Sequence, residues 1–216
     1  MTSTTAAKPI RKDSARNRAA LLEAARVVFA ERGLEATLDD VAQAAGVGVG
    51  TAYRHFANKQ ELAAEVMAQS AQQLVDDAHA ALAIADPWQA LAGFFETTSA
   101  RLARDRGLHQ ALFGPAPHER SPLRQDVVDA VIELFARAKA AGILRPDVEA
   151  TDAVPIFAMM GVAFDVSSAI DPELWKRYLT FFLDGLRATD RGPLPARAIP
   201  IELLDTALAA TKPGRR

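Results

Sequence analysis

The residues whose types and spacing could do chemistry lie between positions 37 and 59 of this 216-residue chain. They run Thr37-Leu38-Asp39-Asp40-Val41-Ala42, then Ala45-Gly46-Val47-Gly48-Val49-Gly50-Thr51-Ala52-Tyr53-Arg54-His55-Phe56, then Asn58-Lys59. Thr51, Tyr53, Arg54 and His55 crowd onto one short stretch just after a glycine turn. Hydroxyls, a guanidinium and the free N–H groups of a helix start are the donors that phosphate oxygens and base edges accept from. The chemistry on offer is recognition of a polyanion, and a short helix of this kind fits the major groove of double-stranded DNA. A plain helical hairpin with a polar face is the other reading of the same residues.

Local elements must hold those side chains in place. Thr37 can accept from the backbone N–H of Asp40, and Asp39 and Asp40 suit the positive end of a helix dipole. The stripe Leu38, Val41, Ala42, Ala45 faces inward and stops at Gly46, which allows the φ > 0 of a tight turn. Gly48 and Gly50 leave the backbone at the start of the second short helix open to close approach. Val47, Ala52 and Phe56 fix the crossing from inside. The unit is a helix-turn-helix over about 38–57. A longer helix precedes it, from about Ala15 to Arg32, with Leu21, Leu22, Ala25, Val28 and Phe29 on one stripe and Gly33 as its stop. Asn58 caps the next helix, with Glu61 at the third position of a capping box. The predicted DNA-binding domain is therefore 15–62.

Thr37-Leu38 through Val41-Ala42, Ala45-Gly46-Val47, Gly50-Thr51-Ala52-Tyr53, His55-Phe56, Lys59 and Glu61-Leu62 together resemble the signature of the tetracycline-repressor (TetR) family. Leu21 to Ala25, Phe29 and Gly33 match the family's first helix. The resemblance covers about residues 15–62 and involves many positions at fixed offsets. It implies that Thr51, Tyr53, His55 and Lys59 touch DNA phosphates, that Thr37 also reaches the backbone, and that Val49 and Arg54 face bases. The family often has Ser where this chain has Gly48, so a side-chain cap and phosphate contact are missing there. A Gly cap costs only a few tenths of a kcal/mol, and the helix survives it. The resemblance further implies a dimer that regulates transcription, with repression favoured over activation.

The remainder, 63–210, reads as a larger helical body, for an all-α chain of about nine to ten helices. Predicted helices cover about 58–84, 87–104, 106–113, 121–142, 150–168, 171–186 and 199–210, with Pro at several starts. Gly114 to Pro117 reads as a loop, and 1–14 and 211–216 as disordered tails. Lys8, Arg11, Lys12, Arg16 and Arg18 would steer the chain to DNA or lay an arm in the minor groove, or form a solvated leader. Val154 to Val166 is apolar on nearly every side, and a helix apolar all round needs cover all round. A homodimer is expected, its interface on Trp175, Tyr178, Leu179, Phe182 and Leu186; a fully buried monomer core is the alternative. Phe94, Phe95, Leu108, His109, Phe113, Val131, Phe135, Met160 and Phe164 could line a cavity for a small hydrophobic effector, with Asp165 as a polar option; ordinary core is the alternative for each.

Composition narrows the classes. Half the residues are hydrophobic, 24% are charged and the net charge is −2, which suits a folded chain rather than a disordered one. No run reaches 18 uninterrupted apolar residues, so no membrane partner is expected and a cytoplasmic location is the default. Cys is absent and the four His, at 55, 79, 109 and 118, have no ligand spacing, so neither metal nor cofactor is expected. No nucleophile elbow, Walker loop or dinucleotide fingerprint occurs, which argues against an enzyme. Residues 1–62 hold nine Lys/Arg against seven Asp/Glu, and the rest sixteen against twenty. The acidic body disfavours a non-specific DNA-compacting protein. The reading is a ligand-responsive regulator on a palindromic operator; a helical-bundle binding module or enzyme with a purely structural hairpin is the rival.

Overall fold

Apolar residues at three- and four-residue steps become nine α-helices among the described residues of the computed structural model, which are 8–113, 122–190, 192–204 and 206. They are α1 (Lys8–Arg32), α2 (Leu38–Ala44), α3 (Val49–His55), α4 (Lys59–Leu82), α5 (Pro87–Arg104), α6 (Arg106–Phe113), α7 (Pro122–Ala140), α8 (Ala153–Ile170) and α9 (Trp175–Leu186). Short 3-10 turns stand at Gly33–Glu35, Ala150–Asp152 and Ile201–Leu203. Among the described residues the only extended pairing is a single bridge between Leu144 and Arg187.

Two apolar cores form. The smaller one joins Leu21, Ala25, Val28 and Phe29 of α1 to Leu38, Val41 and Ala42 of α2, Ala52 of α3 and Phe56. The larger one unites α4, α5, α6, α7, α8 and α9. Helix α4 belongs to both. Its Leu62 and Val66 complete the small core, its Leu74, Ala78 and Ala81 enter the large one, and Met67 touches each. One continuous helix thus ties the orientation of the small unit to the packing of the body.

Three boundaries differ from the sequence expectation. Helix α1 begins at Lys8 rather than near Ala15. Lys, Arg and Ala extend a helix on propensity without contributing to an apolar stripe, and Pro9 is tolerated in the first turn. Helix α9 begins at Trp175, because Asp171 closes a turn instead: its carboxylate accepts from the Glu173 N–H at 3.0 Å and its carbonyl from the Leu174 N–H at 3.0 Å. The expected terminal helix over 199–210 is a 3-10 turn at Ile201–Leu203, and most of its remainder lies outside the described residues. The expected loop Gly114 to Pro117, His118 and residues 1–7 and 211–216 also lie outside them.

Candidate nucleic-acid interface

The first helix of the pair is locked at both ends. Thr37 Oγ1 accepts from the Asp40 N–H at 3.1 Å, while the Asp40 carboxylate accepts from the Thr37 N–H at 2.8 Å. Arg32 adds an ion pair to Asp40 at 3.1 Å. The Thr37 hydroxyl and N–H, with Arg32, hold the Asp40 carboxyl down at about 2. At the other end Gly46 has φ +64°. Its N–H bonds to the Gln43 carbonyl at 3.1 Å and the Val47 N–H to the Ala42 carbonyl at 3.0 Å. That is the pair of bonds of a Schellman ending, and Val47 packs against the small core as such an ending favours. No atom outside the adjoining residues comes within 4 Å of a Cβ built at Gly46. The demand on this residue is conformational, not spatial. Gly46→Val is therefore expected to destabilise the unit by roughly 1–3 kcal/mol, whereas Gly46→Asn, which tolerates the left-handed region, loses little. Urea melts of both variants test this, and equal losses would show that backbone strain is not the cause.

Gly48 opens α3 without a side-chain cap. A Cβ there would meet nothing nearer than Thr51 Oγ1 at 3.9 Å, so the absent serine hydroxyl is a choice of this chain and not a steric necessity. Ala52 is fully buried, so α3 rests on α2 and α1 by one edge. Val49, Gly50, Tyr53 and Arg54 turn outward together, and Thr51 and His55 flank them half-buried. Val49 is 44% and Tyr53 51% exposed, one helical turn apart on the same face. Tyr53, Arg54 and His55 have no hydrogen bond or ion pair among the described residues.

Other expected contacts are already engaged. Lys59 Nζ donates to the Leu34 carbonyl at 2.6 Å, which ties the start of α4 to the turn after α1 and leaves its other N–H bonds free. Arg18 forms a two-pronged pair with Glu65, one prong at 2.7 Å, and its guanidinium stacks 5.0 Å from the Phe56 ring. Arg16 lies 3.6 Å from Asp13. Arg18 thus braces α1 against α4 rather than reaching into a groove. Asn58 Oδ1 accepts from the Glu61 N–H at 2.9 Å, and the Glu61 carboxylate returns to the Ala57 N–H at 2.7 Å, one residue before the expected capping-box partner.

The residues expected around an effector do come together, as packed core. Phe94, Phe95, Leu108, Val131, Phe135, Met160 and Phe164 are all buried in the large core, with His109 and Phe113 half-buried beside them. Phe157, absent from that set, is its hub. Its ring stacks on Phe95 at 4.9 Å and lies 6.2 Å from Phe94 and 5.9 Å from Phe113. The hydroxyls of Thr98 and Ser99 are buried there without a hydrogen-bond partner. Their spacing from Phe94 and Phe95, on the stripe continued by Leu102, was the signal that could have found them. Asp165 does not belong to the set. Its side chain is 64% exposed and lies 3.8 Å from Arg106, because α8 turns that residue away from the core.

His109 lies on the helix, α6, that links this core to the small unit. Its Nε2 lies 3.1 Å from the Phe157 carbonyl, a distance at which the neutral ring donates. A Cβ at Gly161 would overlap the ring, and one at Gly107 would meet the Phe29 carbonyl at 2.8 Å. On the same helix Gln110 Oε1 accepts from the Leu34 N–H at 2.7 Å. Helix α6 is thus wedged between α8 and the end of α1. Burial pushes the His109 pKa below its usual 6.5, against the opposing Phe157 carbonyl and Asp165. A base with a lowered folded pKa costs no stability above 6.5 and progressively more as pH falls below it. Melting temperatures of wild type and His109→Gln are therefore expected to diverge between pH 7 and pH 5, with the wild type falling faster. Parallel curves would refute the assignment.

Not all of the expected dimer face lies on the surface of the subunit. Trp175, Leu179 and Leu186 are buried inside their own subunit, with Leu183, on the stripe that packs against α5 and α8. Tyr178 and Phe182 are half-buried. The exposed apolar surface lies elsewhere: Phe181, on the other side of α9 from Leu179 and Leu183, with Met159, Val162, Val166 and Ile170 along α8. Helix α8 with its preceding turn, Ala150–Ile170, is also long and apolar enough to cross a membrane, yet Ile156, Phe157, Met160 and Phe164 on one side of it fill the core.

Comparison with known proteins agrees with this architecture. Residues 21–66 match the model of the bacterial regulatory proteins of the tetR family, and residues 86–188 match the SbtR-like transcriptional regulator C-terminal domain. A TetR transcriptional regulator from Streptomyces coelicolor is 32% identical over 80% of this chain and 99% of its own, with a TM-score of 0.54. The HTH-type transcriptional repressor KstR2 of Mycobacterium tuberculosis is 49% identical over 51 residues, only 23% of this chain and 26% of that protein. Its solved structure, a ketosteroid transcriptional regulator, is 22% identical over 80% of this chain and 95% of its own, with a TM-score of 0.55. With both halves matched and a full-length relative above 30% identity, the chain belongs to the TetR family of DNA-binding transcriptional regulators.

Proposed function

We propose that this regulator is a repressor that binds a palindromic operator as a homodimer in the cytoplasm and is released by a small, largely hydrophobic effector. The observation that carries the reading is the outward face of α3: Val49, Gly50, Tyr53 and Arg54 exposed together, with the polar side chains unpaired, beside an α2 fixed at both ends. Arg54 and Val49 read bases; Thr37, Thr51, Tyr53, His55 and Lys59 hold phosphates, with backbone N–H groups of Gly48 and Gly50 beside them. Repression follows the name of the KstR2 relative.

The exposed stripe Met159, Val162, Val166, Ile170 and Phe181 supports the dimer, since an apolar patch along a whole helix is what a symmetric partner covers. The aromatic cluster around Phe157 and the orphaned hydroxyls of Thr98 and Ser99 support an effector that is mainly apolar with few polar groups. Its action is a population shift: a hundredfold loss of operator occupancy requires the ligand to bind the non-DNA form about 2.7 kcal/mol better per dimer. Selection of duplexes from a random pool tests the reading. An inverted repeat with half-site centres about 34–36 Å apart, or a multiple, is expected. Enrichment without two-fold symmetry would overturn the homodimeric operator reading.

A further inference from the structure

A cleft of about 890 Å³ lies away from α3, between α7, the turn at 147–151 and the chain segment 193–201 that passes over them. Its only residue in common with the expected effector set is Phe135. The roof is anchored. The Asp147 carboxylate accepts from the Leu194 N–H at 2.6 Å and from Arg145 Nε at 3.0 Å, and Arg145 Nη2 donates to the Gly192 carbonyl at 3.0 Å. Arg145 is only 8% exposed. Its guanidinium, with the Leu194 N–H, holds the Asp147 carboxyl down at about 2, so the anchor stays charged at any working pH.

Counting charges around the cleft decides its ligand. Arg145 cancels Asp147, and Lys139 cancels Glu149 at 2.8 Å. Arg197, exposed on the roof, is the one charged lining residue whose side chain has no hydrogen bond or ion pair among the described residues. Thr151 Oγ1, on the floor, is buried and without a hydrogen-bond partner. The walls are apolar, from Ile132 and Phe135 on α7 to Leu194 and Ile199 opposite. A volume within 300–1,000 Å³, apolar walls and few polar groups are features of a small-molecule site.

We infer that this cleft binds a small amphipathic monoanion, an apolar body bearing one carboxylate, with the apolar part between α7 and Leu194 and the carboxylate at Arg197. The apolar body takes the walls that water wets poorly, and the carboxylate supplies the countercharge that Arg197 lacks. The site is independent of the operator reading and of the aromatic cluster, so its failure leaves both untouched.

Isothermal titration of the full chain with decanoate and, as its uncharged match, decanol tests the inference. Decanoate is expected to bind saturably, once per subunit. Arg197→Gln, on an exposed position, is expected to weaken decanoate about tenfold and leave decanol unchanged. Thr151→Val is expected to raise the melting temperature of the free protein, by relieving an unsatisfied hydroxyl, and to leave decanoate affinity nearly unchanged. Ala136→Trp, which fills the cleft, removes binding of both. Absence of saturable decanoate binding at millimolar concentration, or unchanged affinity in Arg197→Gln or in a folded Ala136→Trp, would overturn it.

Discussion

Arg54→Ala is expected to lower affinity for the specific operator by roughly 1–3 kcal/mol per half-site, hence about 2–6 kcal/mol for the dimer, and to leave affinity for random duplex nearly unchanged. Arg54 is exposed on α3, has no ion pair among the described residues, and lies on the same outward face as Val49 and Tyr53. A guanidinium that is free before binding loses no internal partner when it meets a base edge. Lys59 behaves differently. Its loss is expected to weaken specific and random DNA alike and to lower the salt slope by about 0.9 per phosphate contact. Because Lys59 Nζ also holds the Leu34 carbonyl, Lys59→Ala costs some stability too, and a melt separates that loss from the salt slope. Binding titrations across salt on both kinds of duplex provide the measurement. Equal losses on both for Arg54→Ala would move base reading elsewhere.

Val162→Asp is expected to convert the protein to a folded monomer that no longer binds the operator cooperatively. Val162 is 71% exposed in the single subunit, so a carboxylate there costs the isolated fold little. In a symmetric interface the same carboxylate is buried twice, at roughly 3–5 kcal/mol per uncompensated charge. A change of that size raises the dimer dissociation constant by many orders of magnitude. Leu179→Asp is the contrasting variant. Leu179 is 2% exposed inside the subunit, and its replacement should unfold the body instead of merely parting two copies. Sedimentation equilibrium with circular dichroism distinguishes the two outcomes. A wild-type monomer at micromolar concentration, or a Val162→Asp dimer, would exclude this face.

Legibility in the sequence followed the range of the interactions. The helix-turn-helix could be read from residue order because each of its devices acts over three to five residues. Thr37 caps Asp40, Gly46 takes the left-handed turn, and Ala52 sits where an inward residue must. Each requires particular residue types at a fixed offset. Pro87 and Gly142 marked helix limits for the same reason, since backbone φ is a local property.

The faces of the body were not legible in this way. Hydrophobic residues cover more than half the circumference of α9, opposite Lys176, Arg177, Thr180 and Asp184, so periodicity alone offered Trp175, Tyr178 and Phe182 as one broad face. Packing against α5 and α8 divided it, placing Trp175 and Leu179 inside and Phe181 outside. Asp165 interrupts an apolar run in sequence, yet only the direction in which α8 presents it shows that it meets Arg106 and not the core. Arg18 and Lys59 have the composition of phosphate contacts, but contacts far along the chain decide their engagement: Glu65 for Arg18 and Leu34 for Lys59. The sequence by itself determined the helices, their caps and the recognition helix, because those depend on backbone geometry within a few residues. Tertiary structure alone decided which apolar face is left over, which cations are free and where a cleft opens, because burial and pairing depend on what distant segments bring alongside.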